Sequence, residues 1–422
     1  MRRRAALRAL TATSGAAACL VSGCRIFGPQ SQSSISHRAP GLVVSWTVPG
    51  WVPVQAVERA VSAAGEAIGT SVAFRPQHSF LPLSRNEQRS IGIVEVSQPV
   101  FSPMLAALEA LTGPANVDLR SFLPGVSTAF NDGRHLWAVP FTLAPVCIAY
   151  QAAVIPVLNR TGAAPGRWTV GELVRVLSAC GRGRNSGSVS CLNHCGVPLV
   201  WDGFVRGYGG AWFQSGRVSL TGRRVLEGFH AYREMLLAGG VRGGSPADRT
   251  FPVPNSFFAG QLGAAGLEGL IQSGAPWKVG VFPGMPYAQV VPAAVTGLAI
   301  PSAYPSRENA ARFLGYVFSP TVQTLLGSLG YQVATKVTVG ARRTGSAALP
   351  SGMNMGGIDQ PLPTQQVITL PGSIYTQGPV LRALMVDVWR AVLGNQSEIE
   401  SQLAGVERRV NSLLQSKGSS AT

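Results

Sequence analysis

Charge is scarce in this chain of 422 residues, where Asp, Glu, Lys and Arg together make up 13%. Acids are the scarcer sign, 19 against 35 basic residues, and there are five histidines. Acid–base catalysis would therefore rest on a few carboxylates. The chain has no Gly-x-Ser-x-Gly elbow, P-loop, His-Glu-x-x-His or dinucleotide fingerprint, so the commonest hydrolase, nucleotide-binding and zinc-protease chemistries lack their carriers. No internal repeat of fixed period is present, which excludes solenoids and propellers. The arginines are scattered and no nucleic-acid-binding motif occurs, so nucleic acid is not an expected partner. Cysteine is limited to six residues. Cys180, Cys191, His194 and Cys195 lie close together, but not at the spacing of a zinc knuckle, and no second Cys/His pair follows. No metal or cofactor is expected.

What is abundant is apolar and turn-forming. Hydrophobic residues make up 46%, enough for sizeable cores in two or three domain-sized units. Fifty glycines and thirty prolines, irregularly spaced, imply many turns and long loops. The formal charge is +16, four of it from arginines within residues 1–23. Such a balance favours anionic partners, and a basic face towards anionic lipid fits it best.

Arg2, Arg3, Arg4 and Arg8 form a positive n-region before a run of small and apolar residues too short to span a bilayer. Residues 1–23 read as a secretory signal, by the general or the twin-arginine route. Val21-Ser22-Gly23-Cys24 looks like a lipobox, in which small residues admit the peptidase and the Cys24 thiol takes a diacylglyceryl group. The polar, Ser-rich segment 24–40 reads as a tether. Export also makes a disulfide between Cys180 and Cys191 or Cys195 the expected state. Cys147, in an apolar strand, is either a buried thiol or a further partner.

From Leu42 the pattern turns to strands and helices. Leu42–Trp46 predicts a strand, Val54–Ile68 an amphipathic helix and Ser71–Phe74 a second strand, a βαβ opening with a largely parallel sheet. Ligands in such sheets bind beyond the strand C-termini, which places Trp46 and Trp51 near a cleft. Gln77–Ser90 is too short and broken by Pro82 for a confident helix, and Ile91–Val96 is a strand carrying Glu95. Phe101–Leu111 reads as a helix. Asn131-Asp132-Gly133 is a turn signal. A short strand follows, ended by Pro140, and a second apolar run covers Leu143–Tyr150. Two strands in tandem without a helix between them suggest a crossing between lobes. Thr169 and Glu172 have the spacing of a capping box. Val225–Leu237, Ser306–Val317 (capped by Ser306), Ser319–Gly330, Val380–Leu393 and Ser397–Leu414 complete the helices, and Gly340–Pro371 reads as loops.

The ordered pieces Gly133, Trp137-Ala138, Pro140-Phe141, then Tyr150, Gly162, Pro165, Trp168-Thr169 and Glu172-Leu173 resemble a known family. It is that of the extracellular solute-binding proteins of ABC importers for sugars and related polar solutes. The resemblance extends over most of the chain from Leu42, through Gly209-Gly210, the Phe257–Ala264 segment and Pro283–Pro286. It implies an α/β, two-lobed fold, each lobe a mostly parallel sheet flanked by helices, joined by crossing strands. The first lobe would hold 41–141 and 295–339 and the second 142–294. Segment 340–371 would form loops, and 372–422 helices packed near the hinge.

The resemblance further implies a ligand site between the lobes, with Trp137, Phe141, Thr142 and Tyr331 on the crossing side. Trp201, Asp202, Tyr208 and Trp212 would face the ligand from the second lobe, although Trp212 also reads as a core residue on a helix face. Glu268 stands where many members carry a stacking contact, with Trp277 as a possible substitute platform. Glu95 replaces the family's aspartate, which puts the contact there in question. The implied function is capture of a carbohydrate, amino-sugar, polyol or glycerophosphodiester by a lipid-anchored monomer on the outer face of the cell membrane, for delivery to permease subunits. An envelope lipoprotein binding a protein partner, or a secreted glycosidase, would use the same features differently.

Overall fold

The computed structural model describes residues 41–50, 52–77, 84–97, 105–108, 117–123, 125–126, 129–131, 135–151, 168–181, 198–239, 257–261, 277–280, 282–331, 333–336, 366–370 and 378–418. The expected signal, lipobox and tether, and the residues Cys24, Trp51, Cys191, Cys195 and Glu268, lie outside the described residues.

The chain enters the fold on β1 (Leu42–Trp46), followed by α1 (Val54–Ala67), β2 (Val72–Pro76), α2 (Arg85–Ser90) and β3 (Ile93–Ser97). In α1 the buried Val57, Val61 and Ala64 recur at helical spacing, so one stripe packs on the sheet. Gly69 reverses the chain into β2 at φ +71, a conformation that a Cβ would penalise. β1 pairs in parallel with β2 and with β3. α2 forms where the broken pattern argued against a confident helix. Its Ser84 side chain accepts from Glu87 N–H while Glu87 accepts from Ser84 N–H, and this reciprocal cap offsets the helix's shortness.

Of the helix expected over Phe101–Leu111, the described residues Leu105–Ala107 are not helical. Leu105 bridges Pro301 and Ala106 N–H donates to Ile300 C=O, so backbone pairing with a neighbouring strand end replaces helical bonds there.

β4 (Val139–Gln151) is one thirteen-residue strand, not two. Pro140 does not end it. The register shifts between Pro140 and Thr142, where a residue without an N–H is tolerated. Next come α3 (Val170–Gly181), α4 (Pro198–Gly207), the hairpin of β5 (Phe213–Gln214) and β6 (Arg217–Val218), α5 (Arg223–Ala238), β7 (Phe257–Gln261) and β8 (Trp277–Gly280). β9 (Val290–Ala299) then runs antiparallel to β4 and to β3, and α6 (Arg307–Val317) and α7 (Pro320–Ser328) follow. Ser319 caps α7 through Val322 N–H, whereas the expected cap Ser306 makes no capping bond to α6. A short strand, β10 (Gln366–Ile368), pairs in parallel with β9 inside the segment expected to be loop. α8 (Gly378–Leu393) and α9 (Ile399–Gly418) end the described chain.

Two hydrophobic cores result. One gathers β1–β3, α1, α6 and α7, and the other gathers α3, α4, α5, α8 and α9. β4 serves both through its period of two. Val139, Phe141, Leu143, Cys147 and Ala149 enter the first core, while Val146, Ile148 and Tyr150 enter the second. Along its length β4 pairs first with β9, through Pro145, and then with β7 and β8. The two long antiparallel strands β4 and β9 thus carry the sheet from one lobe into the other. α8 and α9 belong to the second core. Glu407 of α9 accepts from Leu220 N–H and Asn411 brackets Val218 of the hairpin.

Candidate functional site

The parallel strands β2, β1 and β3 end at Pro76, Trp46 and Ser97, and Ser97 stands opposite Thr296 of β9, which in turn stands opposite Thr142 of β4. Their C-terminal ends form a polar knot. Thr47 N–H donates to Glu95 Oε2 at 2.6 Å and Gln77 Nε2 donates to Glu95 C=O at 3.2 Å. The Tyr331 hydroxyl donates to Thr47 C=O at 3.2 Å. The hydroxyls of Thr142 on β4 and Thr296 on β9 lie 2.6 Å apart. A third segment joins here, since Val333 bridges Thr142 and Ala334 N–H donates to Phe141 C=O.

Glu95 is buried in this knot, 2% exposed. Burial pushes its carboxyl above the usual range, and the bonds from Thr296 and Thr47 pull the other way without cancelling it. Burial likewise lifts the Tyr331 phenol well above its usual value.

Below the knot lies an aromatic floor. Trp46 packs on Phe74 and Phe141 with ring centroids 5.0 and 5.6 Å away, and Phe141 packs on Tyr331 at 5.9 Å. The structure therefore brings together four expected site residues: Trp46, Phe141, Thr142 and Tyr331. Only Thr142 is partly exposed; Trp46, Phe141 and Tyr331 are buried among other aromatics, which corrects their reading as side chains that touch a ligand. Trp137 is partly buried against the first core, with His135 at its edge. Trp277 is fully buried at the start of β8, paired with Gln151, and is likewise corrected from platform to core.

The second-lobe residues are corrected most clearly. Trp201 and Trp212 are 1% and 0% exposed and pack edge-on to each other, with Phe229 on the far side of Trp201. Asp202 is completely buried. Its Oδ1 accepts from Arg206 Nε at 2.9 Å and from the Trp212 indole N–H. Burial raises its carboxyl, against the opposing pull of Arg206 and Trp212. Its polar partners are internal, so it holds α4 to the segment before β5 and offers nothing to a solute. The signal was present in the sequence: Trp201, Phe204 and Val205 have the spacing of one helix face, and Asp202 and Arg206 that of an i, i+4 pair.

Tyr208 alone of the expected second-lobe set stays partly exposed, beside Tyr287 at 6.3 Å. Tyr287, 58% exposed, has the Arg224 guanidinium 4.0 Å from its ring centroid. It was not singled out in the sequence because a lone tyrosine in a Pro/Gly loop carries no periodic signal. Cys180 is buried near the end of α3. Among the described residues no group of three or more His, Cys, Asp or Glu side chains is placed to hold a metal, and no helix is long and apolar enough to cross a membrane.

No family model matches this sequence, and no curated protein matches it. The fold does match solved structures. UgpB from Mycobacterium tuberculosis, in complex with glycerophosphocholine, is 17% identical over 90% of this chain and 100% of its own, with a TM-score of 0.65. The sugar-binding protein MalE from Xanthomonas citri is 15% identical over 89% of this chain and 98% of its own, at 0.66. Maltose-bound MalE3 from T. maritima is 14% identical over 88% and 100%, at 0.59. The chain has the two-lobed fold of these solute-binding proteins.

Proposed function

We propose that this chain is the solute-binding component of an ABC importer. It captures a carbohydrate or a related polar solute, such as a glycerophosphodiester, between its lobes, and hands it to permease subunits. The observation that carries this reading is the polar knot at the C-terminal ends of β1–β3, set at the point where β4 and β9 cross between two separate cores. Partly exposed hydroxyls in such a place suit a solute rich in hydroxyl or phosphodiester oxygens. Two crossing strands and the Val333 segment suit a hinge about which the lobes close, and a solute that touches both lobes favours the closed state.

The lobes are taken as 41–141 with 295–339 and 142–294, with Tyr208, Trp51 and Glu268 as the remaining candidates for solute contact. A lipid on Cys24 would keep the protein at the outer face of the membrane, where the permease lies. No catalytic group is assigned.

The test is a thermal-shift screen against maltose, maltotriose, glycerophosphocholine, glycerophosphodiesters, amino-sugars and polyols. The true solute raises the transition with mass-action dependence on its concentration. Release of a cleaved product from any of them would replace this reading with an enzymatic one.

A further inference from the structure

Thr142 of β4 and Thr296 of β9 stand opposite each other, and Ala144 and Ala294 form the next pair on the same face. Their neighbours Phe141, Leu143, Ala293 and Val295 point the other way, into the first core. The two threonines and the two alanines are all partly exposed. Alanine carries no polar side-chain atom, so the two hydroxyls are what this stretch of the crossing strands offers a solute.

The hydroxyl oxygens lie 2.6 Å apart, and either can be the donor. A hydroxyl has one proton and two lone pairs to bond with. The pair thus holds two protons and four lone pairs, and the bond between them uses one of each. One proton and three lone pairs are left, so the surplus is in acceptors.

The other donors of the knot are turned inwards. Thr47 N–H ends on Glu95 Oε2 at 2.6 Å. Gln77 gives its backbone N–H to Trp46 C=O at 3.0 Å and its side-chain amide to Glu95 C=O at 3.2 Å. The Tyr331 hydroxyl ends on Thr47 C=O at 3.2 Å. Among the described residues no arginine or lysine bonds into the knot; Arg75, on β2, is exposed and acts on Glu87. Glu95 adds no positive charge in either protonation state. The free oxygens of a phosphodiester carry negative charge and only accept hydrogen bonds, so their seat needs donors or a cation. A hydroxyl or an ammonium group brings its own proton.

We propose that Thr142 and Thr296 are a specificity-determining pair that accepts a proton from the solute, so that a hydroxyl or amine seats against them and a phosphodiester oxygen does not. This rests on the solute-binding reading and narrows it. A carbohydrate, polyol or amino-sugar meets the pair through its donors, and a glycerophosphodiester does so through its glycerol hydroxyls, never its phosphate.

The experiment titrates the full chain, with carbon-13 in its threonine methyls, with maltose, glucosamine, glycerophosphocholine and dimethyl phosphate, the last a phosphodiester without a proton to donate. At least one of the first three should raise the melting temperature and shift the Thr142 and Thr296 methyls to saturation. Dimethyl phosphate should neither shift them nor compete. Thr142→Val and Thr296→Val, which keep the side-chain shape, should each weaken the bound probe about two- to tenfold, the worth of one neutral hydrogen bond, and Thr142→Ser should retain it. The methyl titration of the unmutated chain decides the matter even where a valine variant does not fold. Dimethyl phosphate moving both methyls as far as the hydroxyl-bearing probes do, or unchanged affinity in both valine variants, overturns the inference. A probe that stabilises the protein while both methyls stay silent removes the inference and leaves the solute-binding reading standing. If none of the probes stabilises the protein and none moves the methyls, both fall.

Discussion

Trp201 and Asp202 show how a residue's surroundings determine its role. An indole beside a carboxylate in a stretch rich in aromatics has the chemistry of a sugar subsite, and here the same pair is internal glue. Trp201→Ala should therefore cost about 3–5 kcal/mol of stability, the usual range for emptying a buried aromatic site. Chemical denaturation would read this as a lower midpoint, and a folded, fully stable Trp201→Ala protein would contradict it.

Glu95 behaves differently. Its folded carboxyl is raised, so the folded state binds the proton more tightly than the unfolded chain does. That advantage is fully present below the ordinary carboxylate range and is lost as pH rises towards the raised folded value. Glu95→Gln removes the dependence. The variant should gain on the wild type in melting temperature as pH rises from about 4.5, and parallel melting curves across that window would refute the assignment.

At the scale of elements, caps and spacing decide where helices begin. Thr169 and Glu172 make the reciprocal bonds of a capping box at the start of α3: Glu172 accepts from Thr169 N–H and Thr169 Oγ1 accepts from Glu172 N–H. Ser306 occupies the equivalent place before α6 and makes no such bond. Thr169→Ala is expected to cost about 1 kcal/mol, and Ser306→Ala to stay within about 0.5 kcal/mol of wild type. Equal losses in urea denaturation would contradict this account. The α4–α5 contact depends on a glycine, because a Cβ on Gly228 would lie 2.6 Å from Val205 Cα. Helices that approach so closely tolerate no larger residue without moving apart.

For the whole molecule, the arrangement of two cores joined by β4 and β9 implies a motion. The solute identified by thermal shift should reduce the radius of gyration measured by small-angle scattering, since closure brings the cores together. An unchanged radius on saturation would exclude closure as the mechanism. The anchor is tested separately, in cells. Cys24→Ser should move the protein from the membrane fraction to the soluble fraction without altering its melting temperature, and intact mass of the mature wild type should carry the diacylglyceryl addition.

Periodicity and punctuation, which are local properties, determined most of the elements. β1, α1, β2, α3, α5, α6, α8 and α9 were legible within a few residues, because each has a regular apolar face or a cap in its own segment. The crossing at Val139–Gln151 was legible as a place in the chain, though not as one strand: Pro140 reads as a terminator until a register shift accommodates it. The site was less legible. Thr142 was expected and lies in the knot. Glu95 was noticed only as a departure, and Thr296 was not singled out at all. A lone threonine or glutamate in an apolar strand has no pattern around it. Its importance arises when strands far apart in sequence meet: β3 pairs with β9 nearly two hundred residues on, and β4 and β9 bring the hydroxyls of Thr142 and Thr296 together. Which aromatics became floor or core and which stayed open was likewise decided by the tertiary structure, because burial depends on what packs above a side chain, and that neighbour comes from another part of the chain.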